Sequence, residues 1–529
     1  MPLKVLIVGT DVATLTLALI LEQAGIDYLV LEPQEAVPVV AGAITLHPTV
    51  LPLLEQLDLK DDLLFFSQPL EHVDILDADT EYITSYDYSQ WQTRYGSWTR
   101  FMSRPEYCDM VLNKLPESKV LFNKQIVRIS TLEGCENSLF SDEHGRQDSI
   151  LDSDIREKEP PQLGVVCTCA DGSIYSAHIL VGDVDSRIDR KVDVTQQPQP
   201  SQPQHVDNRI DRKVDVTQQP QQLQPQQSIV RCRRLGTGSS MISGGASGDS
   251  PVREVQYFVS GITEPLDPQR IPLLREDTTQ LRLVIDAKSP FSWWAATLVD
   301  NRIAWQVTKR VSLSEKSTLP EDVGLGDDPS RILHQISPSM MCPLGGTMAQ
   351  LVLWTSRFQT SCKRWDDQRV PSTTSSSRVL LLGEACRKVI PLFGQAVDES
   401  ILDALALGEA LFNLPSTELC DIKTAFELYH KERSSRREVA IGEARDLDQL
   451  LRSKRYLRSL YRSMVLNYTP KYILDKKNDT KYSYRPQASF LSLVPDYGTV
   501  PPNKDSLPGG NVTREGERRI PGREKNWAS

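Results

Sequence analysis

Two residues near the start of the chain, Gly9 and Glu32, have the spacing of a dinucleotide-binding site. Glu32 follows Gly9 by 23 residues, close to the separation at which an acidic side chain accepts hydrogen bonds from a ribose. The usual turn reads G-x-G-x-x-G, but its second and third glycines are here Asp11 and Thr14. A carboxylate about 6 Å from a phosphate costs roughly 3 kcal/mol at an effective dielectric of about 20, or about a hundredfold in affinity. The residues therefore indicate a dinucleotide site, with an ordinary strand–helix–strand unit that binds no ligand as the alternative.

The pattern of apolar residues predicts the elements that must position this site. Lys4–Val8 is apolar and β-branched, as expected of a buried parallel strand. Dense apolar residues from Val12 to Gln23 predict a helix packed against a sheet, and Gly25 ends it. A second strand at Tyr28–Leu31 leads directly to Glu32. This order predicts a Rossmann-like βαβ unit.

A second group of residues that could contact an anion lies near position 384. Val379–Gly383 has the pattern of another buried strand and is followed by Glu384. A loop then leads through Gly394 and Gln395 into a helix predicted from Val397 to Phe412. Because the N–H groups at a helix N-terminus favour anions, this loop is a candidate phosphate-contacting segment.

Composition excludes several classes of function. The formal net charge is −10 and the pI is about 5.4, so nothing suggests nucleic-acid binding. The nine cysteines are scattered without a C-x-x-C pair, and the seven histidines lack ligand-like spacing, so we predict no metal site and a reducing compartment. No Ser/His/Asp nucleophile set stands out, no catalytic residue is predicted, and His47 is expected to be structural.

The expected location is the cytoplasm. The chain begins with a strand rather than a signal sequence, and no apolar run reaches the roughly 20 residues of a transmembrane helix. Basic residues between Lys454 and Arg462 alternate with apolar ones at helical spacing. Such a helix either rests on a membrane surface or covers a domain with its charged face in solvent.

Six stretches of the sequence occur in a characteristic order and spacing: KVLIVG…LILEQAGIDYLVLE, SRPEYCDMVLNKLP, GVVCTCADGSIYSAHILVGD, ITEPLDPQRIP, RVLLLGEACRKVIPLFGQA and RPQASFLSLVPDYGTVPP. Together they resemble the FAD-dependent monooxygenases of the p-hydroxybenzoate hydroxylase type, in particular those of fungal secondary metabolism. The resemblance covers nearly all of the chain outside residues 183–250 and the tail. It implies an α/β fold, in which a Rossmann-like FAD-binding domain carries an inserted, mostly antiparallel substrate sheet and a C-terminal helical segment.

The domain organisation follows from composition and from this resemblance. Residues 187–199 are repeated without change at 209–221, in a segment rich in Gln and Pro; we predict a disordered insertion, or an artefact of the gene model. The predicted units are a first FAD-binding part with strands of the substrate region (1–182), this insertion with its loop (183–250), the antiparallel substrate domain (251–370), a second FAD-binding part (371–415), the helical segment (416–499) and a disordered tail (500–529).

The resemblance also implies a cofactor and the residues that contact it. Glu32 would bind the adenosine ribose, Arg104 would lie along the FAD, and Glu384 would bind its ribityl or pyrophosphate part. Residues 394–397 would place helix amides near the flavin ring. The implied FAD-binding residues are Gly9, Glu32, Gly42, Arg104, Glu384, Gly394, Gln395 and Val397. NADPH would be the reductant, and a hydrophobic terpenoid, polyketide or meroterpenoid intermediate would be hydroxylated or epoxidised under the sheet.

Several motifs depart from the family pattern at positions that should contact FAD. The middle motif is shortened at residues 182–186, the last motif has Glu384 in place of Asp, and Asp398 replaces an Asn. Two further hypotheses therefore stand beside a working monooxygenase. One is a flavin-independent cyclase, pericyclase of the Diels–Alder type, or isomerase that reuses the pocket, because holding a substrate in a reactive geometry alone lowers a barrier. The other is a non-catalytic remnant.

Overall fold

The computed structural model describes residues 2–38, 42–131, 164–182, 193–196, 254–286, 290–312, 340–365, 378–383, 395–452 and 470–506. Its helices are α1 (Val12–Gln23), α2 (Leu51–Gln56), α3 (Lys60–Phe66), α4 (Trp91–Tyr95), α5 (Arg104–Leu112), α6 (Met348–Leu353), α7 (Gln395–Phe412), α8 (Leu419–Arg452) and α9 (Lys471–Tyr482). Its strands are β1 (Lys4–Val8), β2 (Asp27–Leu31), β3 (Ala43–Leu46), β4 (Ser67–Leu76), β5 (Tyr82–Asp87), β6 (Arg100–Ser103), β7 (Val120–Leu121), β8 (Ile126–Thr131), β9 (Val165–Cys169), β10 (Ile174–Ala177), β11 (Ile179–Gly182), β12 (Asp193–Gln196), β13 (Glu254–Thr263), β14 (Thr279–Ile285), β15 (Phe291–Leu298), β16 (Arg302–Ser312), β17 (Thr355–Trp365) and β18 (Val379–Leu381).

A parallel sheet forms the nucleotide-binding half of the fold. Its strand order is β18-β11-β1-β2-β7, and every pairing is parallel. Helices and a second sheet cover its faces, and β1 is accordingly apolar and buried from Val5 onward. Helices α1 and α7 share one apolar core with it. The predicted βαβ unit is confirmed, and it directs the carboxyl ends of β1 and β2 toward the candidate site.

A larger sheet with the order β17-β13-β16-β15-β14-β4-β6-β3 forms the second half. Its pairings are antiparallel apart from β14 with β4, and β5 also pairs with β4. The β15–β16 hairpin turns at Asp300 and Asn301, whose φ values of 59° and 56° fit a type I′ turn. The expected mostly antiparallel sheet is therefore confirmed, although β3, β4 and β6 come from the first 182 residues.

A third, smaller sheet has the order β10-β9-β8-β12 and corrects one prediction. Asp193–Gln196, within the segment predicted to be disordered, forms β12 and pairs in parallel with β8. Its β-branched Val194 and Thr195 favour a strand, and the edge of β8 offers unpaired backbone groups. The rest of 183–250 lies outside the described residues.

The C-terminal segment continues as α8 and α9 and corrects a second prediction. The tail was expected to be disordered from residue 500, but the backbone of Asn503 donates to the Ser483 carbonyl at 2.8 Å. The Arg485 side chain donates to the Val500 carbonyl at 2.7 Å. Residues 500–506 are thus bound to the body of the protein, and 507–529 lie outside the described residues.

Among the helices in the described ranges, none is both long enough and apolar enough to cross a lipid bilayer. The basic stretch from Lys454 to Arg462 lies outside those ranges.

Candidate active site

The turn after β1 has a backbone conformation at its first position that favours glycine. Gly9 has a φ of +92°, which a side chain would strain, and its N–H donates to the Leu31 carbonyl at 3.0 Å. A Cβ at this position would meet no atom within 4 Å, so the space beside Gly9 is open to a ligand. Asp11 is the N-cap of α1, and its backbone N–H donates to the Thr14 hydroxyl at 2.9 Å.

The Asp11 carboxylate forms an ion pair with the Arg104 guanidinium at the N-terminus of α5. Both side chains are partly exposed, and the Arg104 N–H donates to the Gly42 carbonyl at 2.9 Å. The sequence predicted an uncompensated anion at Asp11 and a cation along the cofactor at Arg104. The fold brings the two together, so this part of the groove carries a neutral pair.

Glu32 lies at the carboxyl end of β2 and is 2% exposed. One carboxylate oxygen accepts a hydrogen bond from the Thr10 hydroxyl at 2.7 Å, and the other accepts from the Gln34 N–H at 2.9 Å. An ionised carboxylate has about four lone-pair positions. Glu32 is therefore held in place by its own chain and keeps acceptor capacity for a ribose.

Two of the predicted FAD-binding residues, Gln395 and Val397, lie in the first turn of α7. The Gln395 Oε1 atom is buried and has no hydrogen-bond partner within the described ranges, while Val397 is buried beneath it in the first turn. Gly383 has a φ of +66°, and a Cβ there would come within 2.7 Å of the Ala13 Cβ, so α1 approaches this strand end closely. Glu384 and Gly394 lie outside the described residues.

Asp398 and His47 form a buried pair that the sequence did not predict. The Asp398 carboxylate lies 2.6 Å from His47 Nδ1 and accepts from the His47 backbone N–H at 3.2 Å. Both residues are below one-tenth exposed. The negative charge at Asp398 therefore has its own partner, and the pair ties the start of α7 to the end of β3. The two residues are 351 positions apart, so no local pattern could have revealed the contact.

An aromatic cluster packs around the His47 ring. Its ring stacks on Tyr482 at a centroid distance of 5.6 Å and lies 5.9 Å from Trp91. Trp91 in turn lies 4.4 Å from Tyr482. Burial raises the pKa of Tyr482 far above its usual range, so the phenol stays neutral. His47 is held inside this cluster, consistent with the structural role expected of it.

The tryptophans of the large sheet lie mainly in its core. Trp305 and Trp293 are buried, and their indole N–H groups donate at 2.8 Å to the Thr355 hydroxyl and to the Met341 carbonyl respectively. Trp294 is partly exposed and lies edge-on to Phe101 at 6.3 Å. Of the three, Trp294 is the side chain that remains accessible to a substrate.

No protein-family model matches the chain. A search of solved structures nevertheless finds proteins that align with almost all of it. HpxO of Klebsiella pneumoniae, complexed with FAD and uric acid, gives a TM-score of 0.56 at 18% identity, over 90% of this chain and 96% of that one. CtdE, in complex with FAD and a substrate, gives 0.54 at 13% identity, over 85% and 90%. The chain has the fold of the FAD-binding monooxygenases.

Curated relatives match this monooxygenase-fold chain over a limited part of its length. The FAD-dependent monooxygenase ctvC of Aspergillus terreus is 35% identical over 129 residues, which are 24% of this chain and 27% of that protein. NvfK of Aspergillus novofumigatus is 33% identical over 133 residues, 25% and 28% of the two chains. PtmM of Penicillium ochrochloron is 27% identical over 188 residues, 35% and 38%. The matched segments thus span between about a quarter and two-fifths of these relatives, each described as an FAD-dependent monooxygenase.

The described residues at the nucleotide groove can accommodate FAD, although one side of the groove departs from the usual pattern. Gly9 leaves open space at the α1 N-terminus, Glu32 keeps acceptor capacity, and Gln395 presents a buried, unpartnered oxygen at the α7 N-terminus. The altered side is the Asp11–Arg104 pair, which places a carboxylate where backbone would approach the pyrophosphate. Within the described ranges, no group of three metal-ligating side chains was found.

Proposed function

We propose that this chain is an FAD-dependent monooxygenase of fungal secondary metabolism that hydroxylates or epoxidises a hydrophobic intermediate. The observation that carries the proposal is its similarity to several fungal proteins of that description, at 27–35% identity, on a fold shared with FAD-complexed proteins. The substrate class we infer is a terpenoid, polyketide or meroterpenoid, with NADPH as the reductant.

Each retained residue has a distinct task in this proposal. Glu32 would accept hydrogen bonds from the ribose hydroxyls, and the N–H groups at the start of α1 would favour the pyrophosphate. Arg104 would offset the charge of Asp11 near the phosphates. The Gln395 oxygen, which has no partner among the described residues, would accept a hydrogen bond from the cofactor. Bound FAD would supply the oxygen-transfer chemistry, and the protein supplies binding, orientation and exclusion of water.

We infer a cytoplasmic location from the chemistry of the cysteines. Cys108, Cys167, Cys169 and Cys342 are free and buried. Burial raises the pKa of the Cys167 thiol to about 12, so it stays protonated and inert to oxidants. Unpaired thiols of this kind suit a reducing compartment. Contact of the basic segment between Lys454 and Arg462 with a membrane surface stays a prediction.

Titration of the purified full-length protein with FAD tests the proposal directly. We expect visible flavin absorbance to remain with the protein after gel filtration, and NADPH to be consumed with a suitable hydrophobic precursor. Replacing Glu32 with Gln removes a charged acceptor and should weaken FAD binding by about tenfold or more. Glu35→Gln, at an exposed site three residues away, is the matched control and should leave the affinity unchanged.

Two results would contradict the proposal. The protein could remain colourless at saturating FAD, or a precursor could turn over at full rate without FAD, NADPH and oxygen. The second result would favour the flavin-independent cyclase or isomerase.

A further inference from the structure

A cavity of about 340 Å³ lies between α2, α3, the turn after α4 and the C-terminal segment. This volume is at the small end of the range for ligand pockets. None of the residues predicted to contact FAD lines it. Its walls are largely apolar and include Leu51, Leu63, Leu64, Trp98, Val494 and Pro495.

The C-terminal wall of this cavity is held firmly in place. Gly96 has a φ of +80°, and a Cβ there would come within 3.0 Å of the Gly498 backbone nitrogen. The Thr499 N–H donates to the Thr93 carbonyl at 3.0 Å, and the Val500 N–H donates to the Arg94 carbonyl at 2.8 Å. Backbone hydrogen bonds therefore hold the C-terminal segment against α4, and the wall of the cavity has a defined position in the fold.

Arg100 is a buried cation on the wall of this cavity, and the residues that the structure describes supply no counter-ion to it. It is 8% exposed, and its Nε and Nη2 groups donate to the Ser67 hydroxyl at 2.8 Å, the Ser67 carbonyl at 2.6 Å and the Leu64 carbonyl at 3.3 Å. All three acceptors are uncharged. Within the described ranges no carboxylate lies at ion-pair distance from it, and burial lowers its pKa to about 10.

The other charged groups of the cavity are already paired. Lys60 Nζ lies 2.6 Å from a Glu55 oxygen, and Arg485 Nη2 lies 3.0 Å from an Asp496 oxygen. Each pair is neutral, so Arg100 leaves the cavity with one net positive charge. A buried charge without a partner is costly, and a ligand that supplies a carboxylate removes that cost.

We propose that this cavity is a second binding site, which takes a small amphipathic carboxylate with its head on Arg100 and its apolar body against the leucines and Trp98. The Nε and Nη2 groups of Arg100 already donate to Ser67 and Leu64, so the Nη1 group is the donor for a charge-assisted hydrogen bond to the carboxylate. The apolar walls favour a hydrocarbon tail over water. The site does not depend on FAD or on the proposed oxidation.

Calorimetric titration of the full-length protein with decanoate tests the site, with decanol and acetate as the neutral and tailless comparisons. We expect saturable binding of decanoate, and binding at least about tenfold weaker for each comparison compound. Equal affinity for decanol would overturn the role of the charge, equal affinity for acetate would overturn the role of the apolar walls, and no binding of decanoate would overturn the site.

Two variants test whether the carboxylate of the bound decanoate contacts Arg100. Arg100→Gln should weaken decanoate binding by about tenfold or more, whereas Lys60→Gln, which removes a cation that is already paired, should change it by less than about threefold. If Lys60→Gln causes the larger loss, the assignment to Arg100 is wrong. Should Arg100→Gln fail to fold, the comparison of the three ligands on the wild-type protein still decides the proposal.

Discussion

Arg100 begins the short strand β6 and Arg104 directly follows it as the first residue of α5, and the two arginines differ in what neutralises them. Arg104, at the nucleotide groove, pairs with Asp11. Arg100, at the C-terminal cavity, donates to uncharged oxygens, and no carboxylate in the described part of the chain pairs with it. The sequence pointed to Arg104 as the ligand-binding cation, but the fold supplies that residue with an internal anion. The unsatisfied charge is the one that no motif singled out.

Arg433 extends this comparison to a cation that is fully buried and paired with two carboxylates. It lies in α8, its Nε donates to Asp403 at 2.8 Å, and it also pairs with Glu399 on the same helix, α7. Neither Arg433 nor Asp403 is exposed to solvent. The three arginines thus differ in how their charge is compensated. Arg433 pairs with two carboxylates in the interior, Arg104 forms one partly exposed pair, and Arg100 has no carboxylate partner among the described residues.

The largest effect is expected at the buried pair. Arg433→Met removes the guanidinium that pairs with the buried Asp403 across α7 and α8, and should lower the free energy of unfolding by about 3–5 kcal/mol. Urea denaturation followed by circular dichroism measures it. Lys60→Gln, at an exposed pair, should change stability by less than about 1 kcal/mol. Similar losses for the two variants would show that burial does not set the value of these pairs.

An intermediate effect, on FAD affinity, is expected at the Asp11–Arg104 pair of the nucleotide groove. Asp11→Gly removes the carboxylate and releases Arg104, so the FAD dissociation constant should fall by up to about a hundredfold. Asp11→Asn, which keeps a similar side chain and a good N-cap, should give most of the same gain. Fluorescence titration with FAD measures both, and an unchanged or weaker affinity would contradict the assignment of Asp11 as the opposing charge.

Arg104→Gln in both backgrounds serves as the control for that result. In the wild type, loss of Arg104 takes the guanidinium away from the Asp11 carboxylate and should weaken FAD binding by up to about a hundredfold. In the Asp11→Gly protein there is no carboxylate to expose, so the same substitution should return the affinity to near the wild-type value. An unchanged affinity in Arg104→Gln would mean that the ion pair does not govern binding.

The smallest effect on stability is expected at His178, whose protonated form would lie near the Arg378 cation. Burial and the nearby Arg378 lower the pKa of His178 below 6.5, and its Nδ1 accepts a hydrogen bond from the Lys4 backbone N–H at 3.0 Å. As the pH falls through about 6.5, the unfolded chain takes up the proton first, so folded-state stability is lost by at most about 1.4 kcal/mol per pH unit. His178→Asn keeps an acceptor and should flatten this part of the profile, as measured by urea denaturation across that range. An identical profile in the variant would assign the pH dependence to other groups.

Local sequence patterns predicted the helices and strands well, but they gave wrong predictions of disorder for two segments. The βαβ unit, the Asp300–Asn301 hairpin and the antiparallel sheet follow from periodicity and turn residues, and all are present. The Gln/Pro-rich composition and the charged tail led to predictions of disorder that were wrong for Asp193–Gln196 and for residues 500–506. Both segments are bound by partners distant in sequence, β8 and the Ser483–Arg485 region.

The sequence by itself determined the strand–helix order, the positions of Gly9 and Glu32, and the family resemblance, because these depend on neighbouring residues and on fixed spacing. Only the tertiary structure decided which charges meet. Asp11 and Arg104 are 93 residues apart, and His47 and Asp398 are 351 apart. Whether a charge repels a ligand, holds two elements together or awaits a partner depends on those long-range contacts, because electrostatic energy depends on distance in space and on burial.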